Sequence, residues 1–189
     1  MKTFRMLGSS IVMLMMFSCG QNKTDGYVIN GKITNPKYDE KTVYMVDAFT
    51  GEKYDSTTVS NCRFKFEGKQ DMACVRELLV YENPKDIFPV NLPIILENGN
   101  INVEMGDLVY VENTEGNDMM MKFLMEKDKF LDGLIEKKLP ADSAKKEFST
   151  FIVQQVLKNG NSVVGDYIYK SYKSKLDEKQ IEECSKIIK

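Results

Sequence analysis

The sequence predicts an α+β protein: an N-terminal antiparallel β-sandwich or barrel-like domain followed by a C-terminal helical segment. Three observations carry this. Eight short runs with strand character lie between Tyr27 and Asn113, separated by turn residues every eight to twelve positions. The hydrophobic period then changes to a helical one after Gly116. No crossover helices separate the strand runs, so a parallel sheet is not expected.

The first run is Tyr27–Ile33, stopped by Asn35-Pro36. Thr42–Val46 follows, and Thr50-Gly51-Glu52 turns the chain into Lys53–Val59. After the turn Ser60-Asn61, residues Cys62, Phe64 and Phe66 alternate with Arg63, Lys65 and Glu67, as in a half-buried strand. Cys74–Tyr81, Val90–Glu97, Ile101–Met105 and Leu108–Glu112 complete the set. Glu97-Asn98-Gly99-Asn100 carries the strongest hairpin signal in the chain. Beyond Gly116, the apolar residues Met120, Phe123, Leu124, Phe130, Leu131, Leu134 and Ile135 fall on one helical stripe, ended by Leu139-Pro140. A second helix runs from Asp142 to Lys158 and closes at Asn159-Gly160. A third starts at Asn161 or Ser162 and reaches Tyr172. Asp177-Glu178-Lys179-Gln180 is a capping box that opens a last helix towards Ile188.

The N-terminus reads as an address. Lys2 and Arg5 precede the apolar run Ile11–Phe17, which is too short for a bilayer span of about 20 residues. Ser18-Cys19 follows. The pattern resembles a bacterial lipoprotein signal, in which Cys19 becomes the lipidated N-terminus; its Met16-Phe17-Ser18 is bulkier than the usual Leu-Ala-Gly. The expected organisation is therefore a signal peptide over 1–18, a tether over 19–26, a β domain over 27–115 and a helical region over 116–189. Cleavage removes Lys2 and Arg5, leaving 24 basic against 28 acidic side chains. The expected location is the cell envelope, lipid-anchored to a bacterial membrane and facing the periplasm or the surface. Multiple acyl chains such as palmitate on one cysteine hold a protein on a membrane stably.

Composition excludes several chemistries. The 189 residues hold 26 Lys and Arg against 28 Asp and Glu, so no concentrated basic surface points to nucleic acid. There is no histidine, which removes Ser-His-Asp and Cys-His catalysis and His-ligated zinc. The four cysteines, at 19, 62, 74 and 184, form no CxxC pair, and no calcium-loop pattern occurs. No catalytic residue, metal site or cofactor is expected. Cys62 and Cys74 stand as a possible disulfide or as buried free thiols, and Cys184 as a packing residue. Asp55-Ser56 reads as a carboxylate bonded to backbone amides rather than as an activated nucleophile. Met120 and Leu124 share a face and read as core.

The segment Tyr54–Gly68, which contains Asp55-Ser56, Val59 and Phe64-Lys65-Phe66-Glu67-Gly68, resembles the "DS-x-x-V-x-D-G-x-F-x-F-x-G" pattern of domain of unknown function 4369. Ile29-Asn30-Gly31-Lys32-Ile33, Val43-Tyr44 and Leu96–Ile101 match in order and spacing, so the resemblance spans roughly residues 27–125. Here Asn61-Cys62 stands where the pattern has Asp-Gly. The resemblance implies an N-terminal β module of envelope lipoproteins, usually ahead of a thioredoxin-like domain. No WCxxC segment occurs in this sequence, so no redox residue is carried over. The expected function is a non-enzymatic binding or scaffold lipoprotein whose partners are the membrane, through the N-terminal lipid, and an envelope protein or thioredoxin-like domain. The alternative is the accessory N-terminal portion of a thioredoxin-like thiol–disulfide oxidoreductase system.

Overall fold

The computed structural model describes residues 25–106 and 108–188. The expected signal peptide, and Cys19 as the expected lipidation site, lie outside the described residues. Eight strands form two four-stranded sheets. In the first sheet the order is β4 (Arg63–Gly68), β1 (Tyr27–Ile33), β7 (Gly99–Met105), β8 (Tyr110–Glu112). In the second it is β3 (Lys53–Thr58), β2 (Thr42–Asp47), β5 (Cys74–Val80), β6 (Val90–Leu96). The expected α+β class is what the chain adopts, with eight strands near their expected positions; Cys62, expected to open the fourth strand, instead forms with Asn61 the turn that precedes it, both at positive φ. One pairing departs from the antiparallel pattern: β1 and β7 run parallel, with Ile29 opposite Ile101. No crossover helix is needed, because the second sheet itself lies between them in sequence.

The alternation of each strand decides its faces. Ile29 and Ile33 of β1, Phe64 and Phe66 of β4, and Ile101, Val103 and Met105 of β7 point inward. They meet Val43, Met45, Leu78, Val80, Leu92, Ile94 and Leu96 of the second sheet in one core. Phe64 lies opposite Gly31 in the register, and a Cβ at Gly31 would collide with its ring, so only glycine fits there.

The Glu97–Asn100 turn does not make a hairpin. β6 and β7 belong to different sheets, and the turn carries the chain over the end of the sandwich from one to the other. Long-range partners override the local signal. The Asn98 side chain accepts from Gln70 N (3.0 Å) and donates to Gln70 O (2.8 Å), while Gly99 N donates to Gly26 O (3.0 Å).

Helices α1 (Glu115–Lys137), α2 (Ala141–Asn159), α3 (Val163–Tyr172) and α4 (Glu178–Ser185) follow. The Asp177–Gln180 capping box forms as expected, and Ser162 caps α3 through Gly165 N. The helices bury Met120, Phe123, Ile152, Val156, Val164, Ile168 and Cys184 against Val75 and Ile95, on the outer face of β5 and β6. The second sheet is thus covered on both sides there. The apolar stripe of α1 is only half buried: Met120 and Phe123 are enclosed, but Leu131 is 37% and Ile135 74% exposed. The second half of α1 runs past the sheet; there Phe130 stacks on Phe151 of α2, 4.4 Å between ring centroids, while Leu131 and Ile135 stay exposed.

Candidate functional site

A polar cluster closes the sandwich at the end where the chain enters β1. It is built from the end of β2, the start of β5 and the edge strand β3. Asp47, the last residue of β2, turns the chain. Its Oδ1 accepts from Phe49 N (3.0 Å), Thr50 N (3.0 Å) and Thr50 Oγ1 (3.2 Å), an Asx turn that Gly51 completes at φ +70°. Its other oxygen accepts from Arg76 Nη1 at 2.7 Å. Arg76 shares the inward parity of Cys74, Leu78 and Val80, so its guanidinium sits at the mouth of the core. The ion pair is mostly enclosed, with side-chain exposures of 17% for Arg76 and 31% for Asp47. The guanidinium also lies over the Tyr54 ring, 4.7 Å from its centroid.

Tyr27 and Cys74 complete the cluster. The Tyr27 hydroxyl is hydrogen-bonded with Tyr54, and burial, with Tyr54 and Asp55 nearby, pushes its pKa up to about 12. The Cys74 thiol accepts from Gln70 Nε2 at 3.3 Å. Burial raises its pKa, and the Arg76 charge opposes that shift. Asp47 is held below the usual carboxylate range, first by the Thr50 and Phe49 amides. Each group therefore keeps one protonation state at neutral pH: Asp47 ionised, Tyr27 and Cys74 neutral. Such a constellation offers a guanidinium, hydroxyls and an aromatic face, which are groups for recognition. It holds no acid–base pair tuned for proton transfer. Arg76 Nε is buried without a hydrogen-bond partner among the described residues.

The residues singled out in the sequence fall elsewhere or at the margin. Asp55 bonds its own neighbour, Ser56 N, at 2.7 Å, as a structural carboxylate does. Cys62, Cys74 and Cys184 are free thiols. Cys62 precedes β4 at one end of the sandwich, Cys74 sits at the other end, where β1 begins, and Cys184 is enclosed by the helices. Cys62 and Cys74 lie at opposite ends of the sandwich and are not bridged. Among the described residues no three His, Cys, Asp or Glu side chains are placed to hold a metal ion. Asp47, Arg76 and Tyr27 went unnoticed in the sequence. The signal for Asp47 was its spacing to Thr50-Gly51; that for Arg76 was a lone cation at a core-facing position of an apolar strand.

No curated protein matches the chain. The family comparison does give a match, to a model described as domain of unknown function (DUF4369), over residues 27–120. That span takes in all eight strands and the first turn of α1. The chain belongs, through residues 27–120, to the DUF4369 family.

Proposed function

We propose that this protein is a membrane-anchored cell-envelope lipoprotein that acts as a non-enzymatic binding or scaffold module. The observation that carries the reading is the n-region, apolar run and Cys19 in series, only eight residues ahead of Tyr27. A tether of that length spans at most about 28 Å when fully extended. It holds the Asp47–Arg76–Tyr54 end of the sandwich towards the membrane and leaves the opposite end to face outward. No helix among the described residues is long and apolar enough to cross a membrane, so the anchor in this reading is the lipid.

The non-enzymatic part rests on the thiols and on the fixed protonation states of the polar cluster. Disulfide exchange needs a thiolate with a second thiol beside it. Cys74 and Cys184 both have thiol pKa values raised by burial, and the three thiols are dispersed over the molecule.

Metabolic labelling with palmitate, followed by membrane fractionation of the parent and Cys19→Ser, tests the anchor. The parent should be labelled and sediment with membranes, and the variant should lose both properties. Equal labelling of the two would overturn it.

A further inference from the structure

The helices pack on the outer face of the second sheet and leave the outer face of the first to solvent. There β1 turns Asn30 and Lys32 outward, and β7 turns Asn100, Asn102 and Glu104 outward. In the parallel register Asn30 lies opposite Asn102, and Lys32 opposite Glu104. The edge strands put longer side chains on the flanks: Arg63 opposite Lys32, Glu112 opposite Asn102 and Tyr110 opposite Glu104. Short amides between long flanking side chains make a trough of about 310 Å³, at the lower end of the range for ligand sites. Lys32 and Glu104 stand across one end of it, 3.6 Å apart. Asparagine is disfavoured in strands, because its amide competes with the backbone ladder. Three of them on the face of two central strands therefore cost stability. Among the described residues, the side chains of Asn30, Asn102, Arg63 and Glu112 have no hydrogen-bond or ion-pair partner.

We propose that this trough binds an uncharged sugar chain, an assignment that rests on the reading of the protein as a binding module and gives it a ligand class. Lys32 and Arg63 balance Glu104 and Glu112, and the neighbouring Lys65 and Glu67 pair with each other. The face thus has no net charge with which to select an anion or a cation. What it offers is a dense mixture of donors and acceptors. Each asparagine amide presents both, Arg63 only donates, and Glu112 only accepts. A sugar hydroxyl is itself donor and acceptor, so neighbouring hydroxyls on one ring match the two sides of an amide and the two flanks. Tyr110, 43% exposed, supplies an aromatic surface for the apolar C–H face of a ring. Away from the Lys32–Glu104 pair the face continues along the strands to the exposed Asn100, which gives a chain room to extend. A peptide would add to a sheet edge rather than lie on a face, and a nucleic acid would need net positive charge.

Saturation-transfer NMR on the purified full chain, in a detergent without a sugar headgroup, tests this with cellohexaose, maltohexaose and acetylated chitohexaose, each at about 1 mM. At least one of these sugars should receive saturation from the protein. Added salt should leave that signal unchanged, because no net charge is involved. Asn102→Ala and Tyr110→Ala should each weaken binding about tenfold. Glu178→Ala, exposed on α4, should bind as the parent does. Asn102 and Tyr110 point away from the core, so unchanged circular dichroism melts show that each variant folds. No transfer to any of the sugars overturns the proposal, as does a signal abolished by salt, or equal binding by the parent and both trough variants. A sugar that is bound and then cleaved would contradict the non-enzymatic reading and leave the site standing. Loss of anchoring, read by palmitate labelling, does not bear on binding by the purified protein.

Discussion

Cys62 shows how one side chain can work against the fold around it. Asn61 and Cys62 have φ values of +52° and +57°, the left-handed pair of a two-residue turn, closed by Ser60 and Arg63 through bonds of 2.8 and 3.1 Å. A residue with a Cβ is strained there, by roughly 1–2 kcal/mol. Part of that strain is offset by Cys62 N donating to Asp39 Oδ1 at 3.0 Å, a backbone bond that glycine keeps. Cys62→Gly should therefore raise stability by about 0.5–1 kcal/mol in urea denaturation. The Asp47–Arg76 pair works the other way. Asp47→Ala removes the acceptor of a mostly enclosed guanidinium and of two turn amides, and should cost about 1–3 kcal/mol. Folding lowers the Asp47 pKa, so its contribution is full above the unfolded carboxyl value near 3.9 and is lost as pH falls through the lower folded value. In the variant, the acid limb of the stability profile should be shallower. Tyr27 and Tyr167 have the opposite dependence. Burial pushes both up to about 12, so their contribution is complete below the unfolded value near 10 and is lost as pH rises through the folded one. Absorbance titration at alkaline pH should show these two phenols ionising with unfolding rather than before it.

Between α1 and β6 the join is made by one amide. Asn117 is fully buried; its side chain accepts from Ile95 N and donates to Ile95 O, both at 2.8 Å, and also donates to Thr114 Oγ1 at 2.7 Å. It pairs with β6 as a further strand would. Two residues earlier on the same edge, Pro93 has no N–H to offer, so the edge is closed by one residue that bonds it and one that cannot bond. Asn117→Ala leaves two backbone groups of Ile95 buried and unpartnered, and should destabilise by about 2–5 kcal/mol. Asn117→Asp should fail as well, because a carboxylate cannot donate to Ile95 O. Strand and helix positions were legible in the sequence wherever local rules decide them: the Arg63–Glu67 alternation, the Asp177 capping box, the Thr50-Gly51 turn; Cys62, expected to open that strand, is instead the second residue of the turn before it. Asn117 was not, since an asparagine in the first turn of a helix looks like any polar N-terminal residue. The Glu97–Asn100 turn misled for a related reason. Its dipeptide fits a hairpin, yet its destination is set by Gln70 and Gly26, distant in sequence.

Over the whole molecule, two apolar clusters share the second sheet: one inside the sandwich, one between its outer face and the helices. Phe64→Ala and Phe123→Ala each empty one of them, and each should cost about 3–5 kcal/mol. Because Leu78 and Val75 sit on opposite faces of the same strand, both variants should lower a single cooperative unfolding transition rather than split it. The class and order of elements could be read from the change of period at Gly116, because hydrophobic alternation is a local property. The parallel β1–β7 pair and the polar cluster at the end where β1 begins could not. Both arise from residues brought together only when the two sheets stack: Tyr27 with Tyr54, Asp47 with Arg76. The exposed second half of α1 was hidden for the same reason, since its apolar stripe continues without a break in the sequence while the sheet beneath it ends. Lipid anchoring of the proposed envelope module is read out by mass spectrometry of the N-terminal peptide of the protein isolated from membranes. The expected peptide begins at Cys19 and carries acyl chains on that residue. A mature chain that retains residues 1–18, or one whose Cys19 bears no lipid, would contradict it.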